Sequence, residues 1–141
     1  MAERTIRIGN QDVRMMYCTA SETGYENMTG KSVEVFMVRT IYDEDGKQAG
    51  FEPPLATLSD YITLAMASIV AAYAAKDQEP PINSNYVLFE ATAEEAKLLV
   101  DTVAELRAEW YHVPDVVKTN EPKEKEEQSP NQEKGEQSPN M

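Results

Sequence analysis

The chain has 141 residues, of which 41% are hydrophobic, and this is enough for one modest globular core. It carries 25 Asp and Glu against 13 Lys and Arg, a formal net charge of -12, so phosphate backbones and anionic membrane surfaces would repel it. We therefore expect no nucleic-acid partner and no membrane association. Cys18 is the only cysteine and the first residues show no signal-peptide pattern, which favours a cytoplasmic protein.

The first part of the chain predicts a β-hairpin. Thr5–Ile8 and Val13–Tyr17 alternate apolar with polar residues, and Gly9-Asn10 between them is a turn signal. The side chains expected to face the core are Ile6, Ile8, Val13, Met15 and Tyr17.

A short helix is predicted next. Thr19 and Glu22 have the spacing of a capping box, and Gly30 is suited to end the helix in the left-handed conformation. The expected buried stripe consists of Ala20, Gly24, Tyr25 and Met28.

The segment from Gly24 to Lys31-Ser32 superficially resembles a phosphate-binding loop. The glycines are separated by one residue more than the motif permits, and the Gly-Lys pair follows a helix instead of preceding one. We interpret Gly30-Lys31 as a helix C-cap with a cation near the negative end of the helix dipole.

A second strand pair is predicted after this helix. Val33–Tyr42 is rich in β-branched and aromatic residues, and Asp43–Gly46 forms a turn signal. Phe51 could pair back as an edge strand, but Pro53 and Pro54 interrupt a ladder, so Gln48–Pro54 is predicted to be a loop.

Thr57 and Asp60 repeat the capping-box spacing and begin a predicted core helix that runs to about Lys76. Much of its surface is alanine or serine, which favours close approach of another element. Burial within the monomer and burial by a partner both remain open. The residues predicted to bind a partner are Ala67, Ala71 and Ala74.

A further capping box, Thr92 with Glu95, opens a helix predicted to end near Tyr111, before Pro114. The short apolar run Tyr86–Phe89 fits either a strand or a helical turn. The inward side chains of the long helix are expected to be Ala96, Leu99, Val100, Val103, Leu106 and Trp110.

From Lys118 the chain contains no aliphatic or aromatic residue until Met141, and the pentapeptide Glu-Gln-Ser-Pro-Asn occurs twice. Such a composition is typical of a disordered acidic low-complexity tail. The sequence therefore predicts one small α+β domain over 1–117, with two longer C-terminal helices packed together, and a disordered tail over 118–141.

The sequence offers no set of residues for catalysis, a cofactor or a metal ion. His112 is the only histidine, and Cys18, at the end of a predicted core strand, is best interpreted as a small buried hydrophobe. Asp43, Glu44 and Asp45 lack the ligand spacing of a calcium loop. We expect a non-enzymatic protein.

The order of elements, with Tyr25-Glu-Asn-Met-Thr-Gly-Lys-Ser32 after a hairpin and Leu58-Ser-Asp-Tyr61 opening a helix, resembles the tail assembly chaperones of long-tailed, siphovirus-like bacteriophages and prophages. The resemblance covers most of the chain in order, although Val33–Ala56 is longer and more strand-like than in that family, and the helix after Thr92 shares only its amphipathicity.

The resemblance implies a cytoplasmic chaperone of the host cell that binds and shields the tape measure protein and that is absent from the finished virion. Tail tube subunits are a second candidate partner. Self-association is left open. The alternative is an acidic DNA-mimic or inhibitor-type interaction protein of a mobile element, which would need carboxylates ordered along one face.

Overall fold

A computed structural model describes residues 2–112. The N-terminal hairpin forms as predicted, with β1 (Ala2–Ile8) antiparallel to β2 (Gln11–Tyr17). Gly9 and Asn10 both have positive φ, at 58° and 64°, which matches the right-handed twist of a two-residue hairpin turn. The predicted core-facing residues are buried, except Ile6, which is partly buried.

Helix α1 (Thr19–Thr29) forms, but its N-terminal cap differs from the prediction. Cys18 is the N-cap residue, and the hydroxyl of Ser21 accepts a hydrogen bond from the Cys18 N–H at 3.1 Å. The same hydroxyl donates to the Met16 carbonyl at 2.8 Å. The Thr19–Glu22 capping box is therefore wrong, because the longer-range contact to the end of β2 holds Ser21 in that position.

The buried side of α1 also differs from the predicted stripe. Ser21 and Tyr25 are fully buried, whereas Ala20 and Met28 are exposed. The C-terminal prediction is confirmed, since Gly30 has φ 73° and donates its N–H to the Glu26 carbonyl at 2.8 Å.

The region after α1 contains a short 3-10 helix, Val33–Phe36, and then strands β3 (Arg39–Tyr42) and β4 (Gln48–Glu52). The strand predicted from Val33 therefore starts later, and the predicted loop at Gln48–Pro54 is a strand that ends before Pro53. The first change has a tertiary cause, because buried Phe36 contacts the rings of Tyr25 and Tyr61 at centroid distances of 5.1 and 5.0 Å.

Helix α2 (Leu58–Ala74) lies at the centre of the fold and packs on α1, β2 and the last helix. Its capping box is confirmed, since Thr57 Oγ1 accepts from the Asp60 N–H at 3.2 Å and Asp60 Oδ2 accepts from the Thr57 N–H at 2.9 Å. Leu58, in the first turn of the helix, is 67% exposed. The helix ends two residues before Lys76.

Two further helices complete the described chain, α3 (Ser84–Phe89) and α4 (Ala93–Tyr111). The run Tyr86–Phe89, left undecided by its sequence, is therefore helical. The Thr92–Glu95 capping box is present, with both hydrogen bonds at 3.1 Å. Leu99, Val103 and Leu106 are fully buried, but Trp110 is 38% exposed, because the helix end lies at the rim of the hairpin, where Tyr17 contacts its ring.

The α+β class and the packing of the two longer helices are confirmed, with α2 against α4 and the N-terminal hairpin against both. The residues up to Tyr111 form one compact unit. The predicted domain end at residue 117 and the predicted disordered tail lie outside the described residues.

Candidate interaction surface

The segment 37–55 contains no buried residue, and we call it the arm. It consists of β3, β4 and their flanking residues, and its base is closed by a hydrogen bond from the Ala56 N–H to the Val35 carbonyl at 2.8 Å. The two strands pack against each other and on no other helix or strand to a comparable extent. A two-stranded hairpin without such support is only marginally stable in water.

Exposed apolar side chains are concentrated on the arm. Among the described residues fourteen large hydrophobic side chains are exposed, and six of them lie in this segment. They are Met37, Val38, Ile41, Tyr42, Phe51 and Leu55. Tyr42, Phe51 and Leu55 are each more than 60% exposed, and so is Leu58 at the start of α2. A concentration of large exposed apolar side chains is typical of protein-protein interaction sites.

The pairing of β3 with β4 divides these side chains between two faces. Thr40 is opposite Phe51, and strand alternation places Tyr42 on the same face. Arg39 is opposite Glu52 and forms an ion pair with it at 2.8 Å, on the face that also carries Ile41. The arm therefore has one aromatic face and one face that combines charges with a single aliphatic side chain.

The arm is joined to the body through Phe36, which immediately precedes it. Tyr25 and Tyr61 meet the Phe36 ring edge-on, and the Arg107 guanidinium lies 5.8 Å from its centroid. Because Tyr25 and Phe36 are buried and Tyr61 is partly buried, this aromatic cluster fixes the position at which the arm leaves the body.

A polar cluster around Asp60 also lies at the junction between the body and the arm. Asp60 is 3% exposed and accepts hydrogen bonds from the Tyr25 hydroxyl at 3.0 Å and from Lys31 Nζ at 2.9 Å, in addition to those of Thr57. Burial alone would raise the pKa of Asp60, but these donors outweigh it and lower the pKa to about 2. The carboxylate thus connects the end of α1 to the start of α2.

Residues from both of the sequence stretches quoted above for the resemblance take part in this cluster. Tyr25 and Lys31 come from the first stretch and Asp60 comes from the second, and the three side chains meet at one buried carboxylate. Lys31 forms an ion pair with Asp60 at 2.9 Å. Tyr25, Lys31 and Asp60 therefore have a structural role in this chain.

The three alanines predicted to bind a partner do not form an exposed face. Ala67 and Ala71 are 4% and 5% exposed, and only Ala74 is exposed. A Cβ placed on Gly24 would lie 3.3 Å from the Ala67 Cβ, which shows how closely α1 approaches α2. The small side chains of α2 serve packing within the monomer, and Ala71→Arg is expected to disrupt the fold.

Sequence reasoning missed Tyr42 and Phe51 as surface residues. A run rich in β-branched and aromatic residues normally indicates a half-buried strand, and Val33–Tyr42 is such a run. The one sequence feature that bears on this exposure is the pair Pro53-Pro54. These prolines end β4 and so limit the arm to a short two-stranded ribbon.

A smaller exposed apolar set lies elsewhere on the described surface. Leu88 and Phe89, at the end of α3, are 64% and 81% exposed. They belong to a helix of six residues whose Val87 is buried, so this element is supported by the body. The set provides a matched control for the arm.

The outward face of α4 carries one row of carboxylates that a DNA mimic could use. Asp101 forms an ion pair with Lys97 at 2.5 Å, and Glu109 forms one with Arg4. Glu94 and Glu105 are exposed on the same helix. Basic side chains therefore interrupt the row of carboxylates.

Other candidate groups are placed as follows. Cys18 is partly exposed, with its Sγ 4.0 Å from the Ser21 hydroxyl, so it is not the buried hydrophobe that the sequence predicted. His112 is exposed, and Asp43 uses its carboxylate to accept the N–H groups of Asp45 and Lys47 at 2.9 Å. Within residues 2–112 no group of three or more His, Cys, Asp or Glu is arranged to hold a metal ion.

None of the helices in residues 2–112 is both long enough and apolar enough to cross a membrane.

Comparison of the chain with protein-family models, with curated proteins and with solved structures finds no match.

Proposed function

We propose that this chain is a non-catalytic tail assembly chaperone, whose arm binds apolar segments of the tape measure protein and shields them during tail morphogenesis. The observation that carries the proposal is the arm itself, which exposes six large hydrophobic side chains while contributing none to the core. A protein that must cover apolar surface reversibly needs such a face, because burial of apolar area supplies the affinity.

The charge of the chain fits this role. Asp43, Glu44 and Asp45 form an acidic turn at the tip of the arm, beside the aromatic face. Negative charge around an apolar face opposes aggregation of the free chaperone and rejects acidic partners, whereas the apolar contacts provide the binding energy. The preferred partner segment is therefore an apolar helix or strand flanked by basic residues.

The identity of the partner is taken from the resemblance to tail assembly chaperones. The residues on which that resemblance rests join α1 to α2 beside the base of the arm in this chain, whereas the arm itself lies in the segment that departs from the family. The proposed location is the host cytoplasm during assembly, outside the mature virion.

Co-expression with the tape measure protein followed by pull-down tests the proposal. Tyr42→Ser combined with Phe51→Ser should reduce capture by about tenfold or more, because two large aromatic contacts are removed. Leu88→Ser combined with Phe89→Ser is the matched control, with two comparably exposed apolar residues on α3, and it should capture as the wild type does. Equal capture by both double variants would contradict the proposal.

Salt dependence separates this role from that of an acidic DNA mimic. Capture through the arm should change little with ionic strength, whereas capture through carboxylates would weaken steeply as salt screens them. The ion pairs of Asp101 and Glu109 on α4 favour the first outcome. Loss of capture on neutralising Glu94 and Glu105, with the arm double variant unaffected, would support the mimic instead.

A further inference from the structure

We propose that the free edge of β3 pairs in antiparallel orientation with β3 of a second copy of this chain, with the two-fold axis at Ile41. The pairing would join two arms into one four-stranded sheet, in the order β4-β3-β3-β4. It does not rest on the proposed function, because the chain alone forms the pair.

The first support is the difference between the two edges of the arm. Each strand of this two-stranded sheet has one unpaired edge within the described residues. The pairing shifts between Ile41 and Tyr42 so that Ala49 of β4 has no partner, and Pro53 follows this strand directly. A bulge and a proline are devices that protect an edge from further pairing, and β3 has neither.

The second support is charge complementarity of β3 with itself. Arg39 begins the strand and Asp43 follows it, with Ile41 midway between them. In an antiparallel pair centred on Ile41, each Arg39 lies opposite Asp43 of the other copy, whereas a parallel pair would place like charges together. Opposite charges directly across two strands are favourable and like charges are unfavourable.

Both charged groups have the capacity for this additional contact. The hydrogen bonds inside the turn use Oδ1 of Asp43, so its second oxygen can accept from another donor. Arg39 bonds Glu52 through one terminal nitrogen, and a guanidinium has further N–H groups to donate.

The third support is the register. Centring the pair on Ile41 places Thr40 opposite Tyr42 of the other copy, so both aromatic faces lie on the same side of the joined sheet. A shift of one residue would put the two aromatic faces on opposite sides, because side chains alternate with a period of two. The chosen register therefore doubles the area of the face that carries Tyr42 and Phe51.

Sedimentation velocity of the full chain tests the pairing. Because the strand is short, the dimer should be weak, so the series should span about 1 µM to 1 mM. The wild type should shift from monomer to dimer in this range. Ile41→Lys places two like charges across the axis and should raise the dissociation constant about tenfold or more. A wild type that stays monomeric throughout, or a dimer unaffected by Ile41→Lys, would overturn the proposal.

Disulfide trapping gives a second readout that does not require a variant to weaken the dimer. In a Cys18→Ser background, Ile41→Cys brings two thiols together at the axis and should cross-link rapidly under mild oxidation. Gln48→Cys is the matched control, an exposed strand residue on β4 away from the axis. Circular dichroism confirms that both variants fold. Cross-linking of Ile41→Cys no faster than that of Gln48→Cys would overturn the proposal.

Discussion

The N-terminal hairpin and the arm are both antiparallel ribbons closed by a turn that contains a positive-φ glycine, Gly9 in one and Gly46 in the other. They differ in what covers them. The first places one face under α2 and α4 and buries Met15 and Tyr17 completely, whereas the arm buries nothing. The same local structure therefore contributes to the core in one place and stays exposed in the other.

We expect the largest loss of stability from a substitution in the buried face of the N-terminal hairpin. Met15→Ala should lower the free energy of unfolding by about 2 to 5 kcal/mol, because the side chain is fully buried on β2 and its removal leaves a cavity. Urea denaturation followed by circular dichroism measures the change. A loss below about 1 kcal/mol would mean that the first hairpin is as weakly supported as the arm.

The two turns provide a matched pair of substitutions. Gly9→Ala should cost about 2 to 3 kcal/mol, since φ is 58° and the new Cβ would lie 2.7 Å from the Tyr86 hydroxyl. The clash also disturbs Glu95, which accepts from both Tyr86 and the Gly9 N–H. Gly46→Ala has a similar φ of 80° but no atom within 4 Å, so only the backbone cost of about 1 kcal/mol applies. Equal costs in thermal unfolding would contradict this account.

Asp60→Asn tests the junction that presents the arm. The folded pKa of Asp60 lies near 2, below its ordinary value of 3.8, so its contribution to stability is present above about pH 4 and is lost as the pH falls towards 2. The variant should therefore be less stable than the wild type by about 2 kcal/mol at pH 7. The difference should shrink over this acid range in urea titrations.

Asp101→Asn is the control for the junction, because Asp101 forms an exposed ion pair with Lys97 and should cost less than about 0.5 kcal/mol. A difference between Asp60→Asn and wild type that stays constant from pH 7 to pH 2 would show that the charge of Asp60 does not stabilise the junction.

The smallest stability effect is expected on the arm. Phe51→Ala should change the free energy of unfolding by less than about 0.5 kcal/mol, because the ring is 61% exposed and packs on no core residue. Chemical denaturation beside Met15→Ala provides the comparison. A destabilisation similar to that of Met15→Ala would show that the arm belongs to the folding core.

Features determined by neighbouring residues were predictable from the sequence. Gly9-Asn10, the Thr57–Asp60 and Thr92–Glu95 capping boxes and the Gly30 C-cap all act within a few residues of their partners, and each forms as expected. The cap hydrogen bonds join residues three or four positions apart, whereas the Thr19–Glu22 box fails because Ser21 bonds the end of β2 instead.

Features determined by distant contacts were not predictable. The 3-10 helix at Phe36 depends on rings from α1 and α2, and the burial of Ala67 depends on the approach of α1 at Gly24. The role of Lys31 depends on Asp60, 29 residues away. For the candidate surface, β-branched and aromatic content indicates a strand but does not say whether anything in the same chain covers it.

Hydrogen exchange measured on both hairpins tests most directly whether the arm contributes to binding and not to folding. In the free chain at low concentration, the amides of β3 and β4 should exchange about a hundredfold or more faster than those of β1 and β2, since the arm opens without unfolding the core. Adding the tape measure protein should slow exchange in the arm and leave α3 unchanged. Arm amides already as protected as those of β1 and β2 in the free chain, or partner protection confined to α3, would contradict the account.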